Sequence, residues 1–164
     1  MTEPVTIFYL EMLSADQVCG KESSSSQAVL TECADKNFAI NRFFYQYVGE
    51  SWQWHDKLSW RESQWRDYAH RDELKLFMLT WHGTPAGYFE LEKHTDGSVE
   101  IVYFGLANAY TDKGLGGFLL TQALQQAWAW QATRVWVHTC SLDHPYALKN
   151  YQSRGMTLYK TEVE

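Results

Sequence analysis

The chain has 164 residues, 45% hydrophobic and 16% aromatic, enough apolar surface to bury a sizeable core as one domain across residues 1–164. Its formal charge of −6 leaves no basic footprint for nucleic acid and favours a neutral or cationic small partner. Cys19, Cys33 and Cys140 lack Cys-x-x-Cys spacing, and no signal-like N-terminus or run near the roughly 18 apolar residues that span a bilayer occurs, so a cytoplasmic protein with no metal, disulfide framework or membrane partner is expected.

Val5 to Met12 is an apolar run rich in β-branched and aromatic residues and predicts a first strand. Ser14 to Asp35, carrying Ser23-Ser24-Ser25-Ser26, is polar and predicts an exposed loop. Asn37 to Val48 sets Ile40, Phe44, Tyr47 and Val48 at helical spacing, and Gly49 breaks the pattern. A second helix is expected from about Ser59 to Arg71, with Ser59 as N-cap and Glu62 completing a capping box. Rings crowd this span, among them Phe44, Tyr45, Trp52, Trp54, Trp60 and Trp65. Most fit a core under two helices, and some are candidates to wall an acceptor pocket. His55 and Asp56 are neighbours in sequence, which is no sign of a catalytic pair.

Leu74 to Trp81 and Ala86 to Lys93 read as strands joined by the turn His82-Gly83-Thr84-Pro85. Asp96-Gly97 then predicts a tight hairpin onto a third run, Val99 to Leu106. A two-residue loop pairs Lys93 with Glu100, Leu91 with Val102 and Glu90 with Tyr103. Glu100 then shares a face with Val102 and Phe104, while Val99, Ile101 and Tyr103 occupy the other. Between two apolar faces its carboxylate should be desolvated and raised in pKa, which suits a general base; an ion pair with Lys93 is an equally supported reading. Glu90 is the reserve candidate.

After Leu106 come Lys113-Gly114-Leu115-Gly116-Gly117 and a helical face made of Gly116, Leu120, Ala123, Leu124, Ala127 and Trp128. A strand, a glycine turn and a helix leave first-turn amides free at the positive end of the helix dipole, a ready site for phosphate. A P-loop fails because Phe118 and Leu119 follow Gly117, and a dinucleotide fingerprint is weak because Leu119 takes the place of its third glycine. Arg134 to His138 reads as a further strand, parallel to Val99–Leu106 because a helix intervenes. Nothing supplies Cys140 with the base and depressed pKa of a nucleophile. In the run His144 to Met156, Asp143 is placed to cap a short helix, Pro145 suits its first turn and Gly155 its end.

The stretch Thr111-x-x-Gly114-x-Gly116 resembles motif A of the GCN5-related N-acetyltransferases, Gln/Arg-x-x-Gly-x-Gly/Ala, with Thr111 where Gln or Arg is usual. His144 to Met156 resembles their motif B: Ala147, Tyr151 and Gly155 match, while His144 replaces Asn and Met156 replaces Phe. The two motifs and their surroundings cover about Leu74 to Lys160, and VEIVYFGLANAY with VHTCSLDHPYALKNY looks like the small bacterial acetyltransferases of unassigned substrate. The resemblance implies an α/β (α+β) acyl-CoA N-acyltransferase fold, whose mixed, mostly antiparallel sheet splays between its fourth and fifth strands. It implies direct acetyl transfer from acetyl-CoA to a small-molecule or peptide amine, without a metal, by a monomer or homodimer. Phe104 and Leu106 on the fourth strand, Thr111, Asp112, Lys113, Gly114, Leu115, Gly116 and Gly117 at the turn, and His144 and Ala147 would hold the cosubstrate. Glu100 lies fourteen residues before Gly114, as does the base of the histone acetyltransferase branch, and Tyr151 would protonate the departing thiolate. His138, Thr139 and Cys140 would lie near the wedge between the splayed strands. A non-catalytic acyl-CoA-binding module is the alternative; it would keep Gly114 and Gly116 but have no use for Glu100 or Tyr151.

Overall fold

Runs of β-branched and aromatic residues build one seven-stranded mixed sheet in the structure, a computed structural model that describes residues 4–23 and 25–164. Ser24 of the four-serine run, with residues 1–3, lies outside the described residues. The elements in chain order are β1 (Thr6–Met12), β2 (Ala28–Glu32), α1 (Phe38–Gly49), α2 (Glu62–Ala69), β3 (Leu74–Trp81), β4 (Thr84–Lys93), β5 (Val99–Leu106), α3 (Leu115–Ala129), β6 (Val135–Cys140), α4 (Ala147–Ser153) and β7 (Thr157–Val163). The sheet runs β2-β3-β4-β5-β6-β1-β7, antiparallel throughout except between β5 and β6. This is the α+β arrangement expected, and β5 and β6 are the strands anticipated as fourth and fifth.

The helices divide between the two faces. Leu119, Leu120, Ala123, Leu124 and Ala127 of α3 are fully buried against one face, while Phe44 and Val48 of α1 pack with Leu76 and Tyr88 on the other. The Asn37 side chain accepts the Ala39 N–H (3.0 Å) and starts α1. Gly49 does not break that helix. It ends it, and a Cβ there would lie 2.7 Å from Trp54, so the glycine makes room for the ring.

Several expectations need correction. The polar stretch Ser14–Asp35 contains β2, whose short run Ala28-Val29-Leu30-Thr31 pairs with β3 from Ala28↔Trp81 to Glu32↔Phe77. α2 starts at Glu62, not Ser59; Gln64 Oε1 accepts the Arg61 N–H (2.9 Å), so the reciprocal bond forms two residues later than read. Asp143 does not cap α4, because its carboxylate turns back to the Thr139 hydroxyl and the Cys140 N–H.

The hairpin between β4 and β5 also differs. Its loop has three residues, Thr95 to Gly97, closed by His94 N–H to Ser98 O (2.8 Å) with Gly97 at φ 85°. Lys93 therefore pairs with Val99, Glu92 with Glu100 and Leu91 with Ile101, and the expected Glu90↔Tyr103 pair is recovered only because Val102 is an extra, bulged residue. The bulge exchanges the faces of everything after it. Phe104 joins Val99 and Ile101 on the α3 face, while Tyr103 joins Glu100 on the α1 face.

Gly155, at φ 109°, would put a Cβ 2.1 Å from the Gln17 carbonyl oxygen, whereas Gly83, at φ 83°, faces open space. Gly83→Ala should cost about 1–2 kcal/mol for the left-handed backbone alone. Gly155→Ala adds a clash with main chain and should cost about 3 kcal/mol or more, as read by urea unfolding of both variants.

Candidate active site

The β5–β6 ladder stops after three pairs, Val99↔Val135, Glu100↔Trp136 and Ile101↔Val137. Beyond it the strands part, and a cleft of about 400 Å³ lies against the freed end of β5. Phe104, Gly105 and Leu106 of β5 line one wall, Gly116 and Gly117 the start of α3, and Ala147, Asn150, Tyr151 and Arg154 the α4 side. Trp52, Trp54 and His144 also line it, with Trp52 edge-on to His144 at 5.1 Å.

α3 begins without a side-chain cap. Gly114 takes the left-handed conformation (φ 72°), a Cβ on it would meet nothing within 4 Å, and one on Gly116 would meet only Asn150 Nδ2 at 3.7 Å. The first-turn amides are therefore approachable by an anion. Lys21, Lys149 and Arg154 line the same cleft, and Arg154 Nε is buried with no hydrogen-bond partner among the described residues. An orphaned guanidinium N–H beside uncapped amides fits a phosphate-bearing ligand such as coenzyme A. Lys21 arrives there because its N–H donates to Thr121 Oγ1 (2.8 Å) on α3 and the Cys19 N–H donates to the Arg154 carbonyl (2.9 Å).

Of the residues singled out from sequence, Phe104, Leu106, Thr111, Gly116, Gly117, His144, Ala147 and Tyr151 meet in this one cleft. Thr111 spends its hydroxyl on the Asn108 carbonyl (2.9 Å). Asp112 and Lys113 pair with each other at 3.7 Å outside the lining, and the Leu115 side chain is buried in the core, so that residue has only its backbone to offer. Sequence reading missed Lys21, Lys149, Asn150 and Arg154. Helical spacing from Ala147 and Tyr151 points to Asn150 and Arg154, whereas Lys21 sits in a polar loop with no pattern to flag it. Tyr151 is buried, with its ring 5.9 Å from Phe104; burial, then the Asp143 charge, pushes its hydroxyl well above the usual phenol range. It therefore keeps its proton at neutral pH.

Glu100 is buried on the opposite face and does not line the cleft. The ion pair read with Lys93 does not form, since Lys93 Nζ donates to the Trp130 carbonyl (2.9 Å). Instead His94 Nε2 lies 3.0 Å from Glu100 Oε1, and His138 Nδ1 lies 3.7 Å from Oε2. Burial raises the Glu100 pKa, and His94 and then His138 oppose the rise. His138 is the first β6 residue past the last ladder pair and is half exposed, though it does not line the cleft. Glu90 has both oxygens taken, by Asn41 Nδ2 (2.9 Å) and the Tyr68 hydroxyl, and burial pushes it up to about 7. Burial also raises the Cys140 thiol, the wrong direction for a nucleophile.

Residues 36–156 match the acetyltransferase (GNAT) family model. No curated protein matches the sequence significantly. Among solved structures, a GCN5-related N-acetyltransferase from Kribbella flavida superposes with a TM-score of 0.67 at 16% identity, covering 99% of this chain and 57% of that one. A conserved protein of unknown function from Staphylococcus epidermidis gives 0.64 at 12% identity, covering 98% of this chain and 60% of that one. An aminoglycoside acetyltransferase from an uncultured soil metagenomic sample gives 0.66 at 12% identity, covering 79% and 88%. At these identities the likeness shows the fold alone, and the chain spans less than two thirds of the first two proteins.

With a folded pKa of about 7 against an ordinary 4.5, Glu90 binds its proton more tightly in the native state. Stability should therefore fall as pH rises through that window, by about 3 kcal/mol in all. Glu90→Gln, with the Asn41 amide turned to accept, should remove this loss. Urea unfolding of both proteins at pH 5 and pH 8 checks it, and equal pH dependence would contradict the linkage.

Proposed function

Because the chain belongs to the GNAT acetyltransferase family, we propose that it acts, as one domain over residues 1–164, to move the acetyl group of acetyl-CoA directly to an amine. The observation that carries this reading is the parting of β5 and β6 onto the uncapped start of α3, with the unpaired Arg154 Nε beside it. Bound there, acetyl-CoA supplies a thioester whose carbonyl an amine attacks and whose sulfur leaves as thiolate.

The amides of Leu115 to Gly117, with Lys21, Lys149 and Arg154, hold the phosphates. The β5 edge from Val102 to Leu106, left without a β6 partner, orients the pantetheine arm and polarises the carbonyl through its backbone. Glu100 takes the proton of the incoming ammonium, with His138 passing it from the wedge. Its raised pKa suits a base near neutrality, and its Oε2 is less engaged than either oxygen of Glu90. Tyr151 gives its proton to the departing sulfur from beside Phe104.

Gly116→Val should abolish CoA binding while leaving the melting temperature nearly unchanged, since its Cβ meets no main chain. Calorimetric titration with CoA is the check, and undiminished affinity would remove the proposed phosphate site.

Glu100→Gln should lower the rate of amine acetylation at pH 7 by roughly 10²- to 10⁴-fold and erase the acid limb of the pH profile, with CoA affinity kept. Tyr151→Phe should slow turnover and leave stability within about 1 kcal/mol of wild type. A binding module without catalysis would show no CoA release from any amine in the wild-type protein.

A further inference from the structure

Lys57 lies inside a box of aromatic rings. Its Nζ sits 4.8 Å from the centroid of Trp60, 5.2 Å from Tyr68 and 4.8 Å from Tyr103. It donates to the Tyr103 hydroxyl (2.6 Å) and lies 3.1 Å from Asp56 Oδ2. The Tyr68 hydroxyl is itself held by Glu90, and the Lys57 side chain is only 13% exposed. Two rings, the Tyr103 hydroxyl and the Asp56 carboxylate surround the ammonium, more than a lysine requires for its own solvation. The neighbouring core holds an unspent polar group. The Tyr88 hydroxyl is fully buried and without a hydrogen-bond partner among the described residues; burial and then the nearby Glu90 and Tyr103 raise its pKa.

Lys57 shares one segment with Asp56 and Trp60, and the rest of the box comes from elsewhere. Lys57 rides on the irregular segment between the two α1-face helices, which begins at the left-handed Gln53 (φ 59°), whereas Tyr68 and Tyr103 belong to α2 and β5. The box also adjoins the cleft. Trp54 lies 5.1 Å from the Tyr103 ring and lines the cleft, and Tyr103 precedes the cleft residue Gly105 by two positions. Two residues of extended strand span about 7 Å, a length that a chain of about four methylenes covers.

We propose that Trp60, Tyr68 and Tyr103, with Asp56, form a receptor for an alkylammonium group that Lys57 fills in the free protein, and that the acceptor is an aliphatic diamine whose second ammonium displaces it. The assignment of the diamine as acceptor rests on the acetyl-transfer reading; the receptor itself does not. The chain's charge of −6 favours a dication over a neutral amine. One nitrogen sits in the box as a cation, and the other, deprotonated through Glu100, faces the wedge.

The test uses tetramethylammonium as probe, followed by tryptophan fluorescence and calorimetry. Lys57→Ala should bind it about tenfold or more tightly than wild type, and adding Trp60→Ala should cancel the gain. In wild type, saturating tetramethylammonium should raise the rate at which Lys57 reacts with an acylating reagent, mapped by mass spectrometry; this arm needs no variant to fold. With acetyl-CoA, 1,4-diaminobutane should have a KM at least about tenfold below that of butylamine, a difference that Trp60→Ala erases. If neither Lys57→Ala affinity nor Lys57 labelling responds to the probe, the receptor is overturned, whatever amines are acetylated. If the probe behaves as expected but no amine yields CoA release, the receptor stands and acetyl transfer fails. If butylamine and the diamine are acetylated equally well, acetyl transfer stands and the diamine assignment falls.

Discussion

The parallel ladder between β5 and β6 ends after three pairs, and the candidate site exists because it ends there. The Val102 bulge adds a residue to β5, bends the strand and turns Phe104 onto the α3 face, where it meets the buried ring of Tyr151. No β6 partner follows Ile101 among the described residues. What remains is a stretch of strand edge facing a cleft rather than a neighbouring strand. A ligand can use those backbone groups without competing against a ladder.

Charge is unevenly placed, with Lys57 and Arg71 paired to carboxylates on the α1 and α2 side. The chain is acidic overall, yet Lys21, Lys149 and Arg154 gather in the cleft on the α3 and α4 side. Glu90, Glu92, Glu100 and Asp56 stand on the α1 and α2 side. On the proposed reading, a polyanionic donor would meet the cations of the cleft and a cationic acceptor the carboxylates on the other side of the sheet.

Much of this was legible in the residues. The strand, glycine turn and helix from Val99 to Ala129 follow from apolar periodicity, and Ala147, Tyr151 and Gly155 mark α4 and its end. The bulge was not legible, because period-two alternation counts residues and has no sign for one that is skipped; Phe104 and Tyr103 were accordingly placed on the wrong faces. His94 as partner of Glu100 was missed for the same reason, since a three-residue loop shifts the near end of the hairpin by one position. β2 was hidden because five residues between polar flanks give too short a pattern. Lys21 and the ring box around Lys57 depend on which loops lie together in space, and neither leaves a periodic trace.

β1 sits between β6 and β7 although it precedes both by most of the chain. It pairs with β6 over Ile7↔Cys140 to Met12↔Val135, twice the length of β6's ladder with β5, so β6 is held in the sheet mainly by a strand from the other end of the sequence. Such contacts close the largest loop the chain has, and their entropy is met only when the rest of the sheet is in place. The order of folding follows from this topology. β3 to β5 can assemble from neighbouring hairpins, whereas most of β6's pairing waits for β1, in the step that brings the two ends of the described chain together.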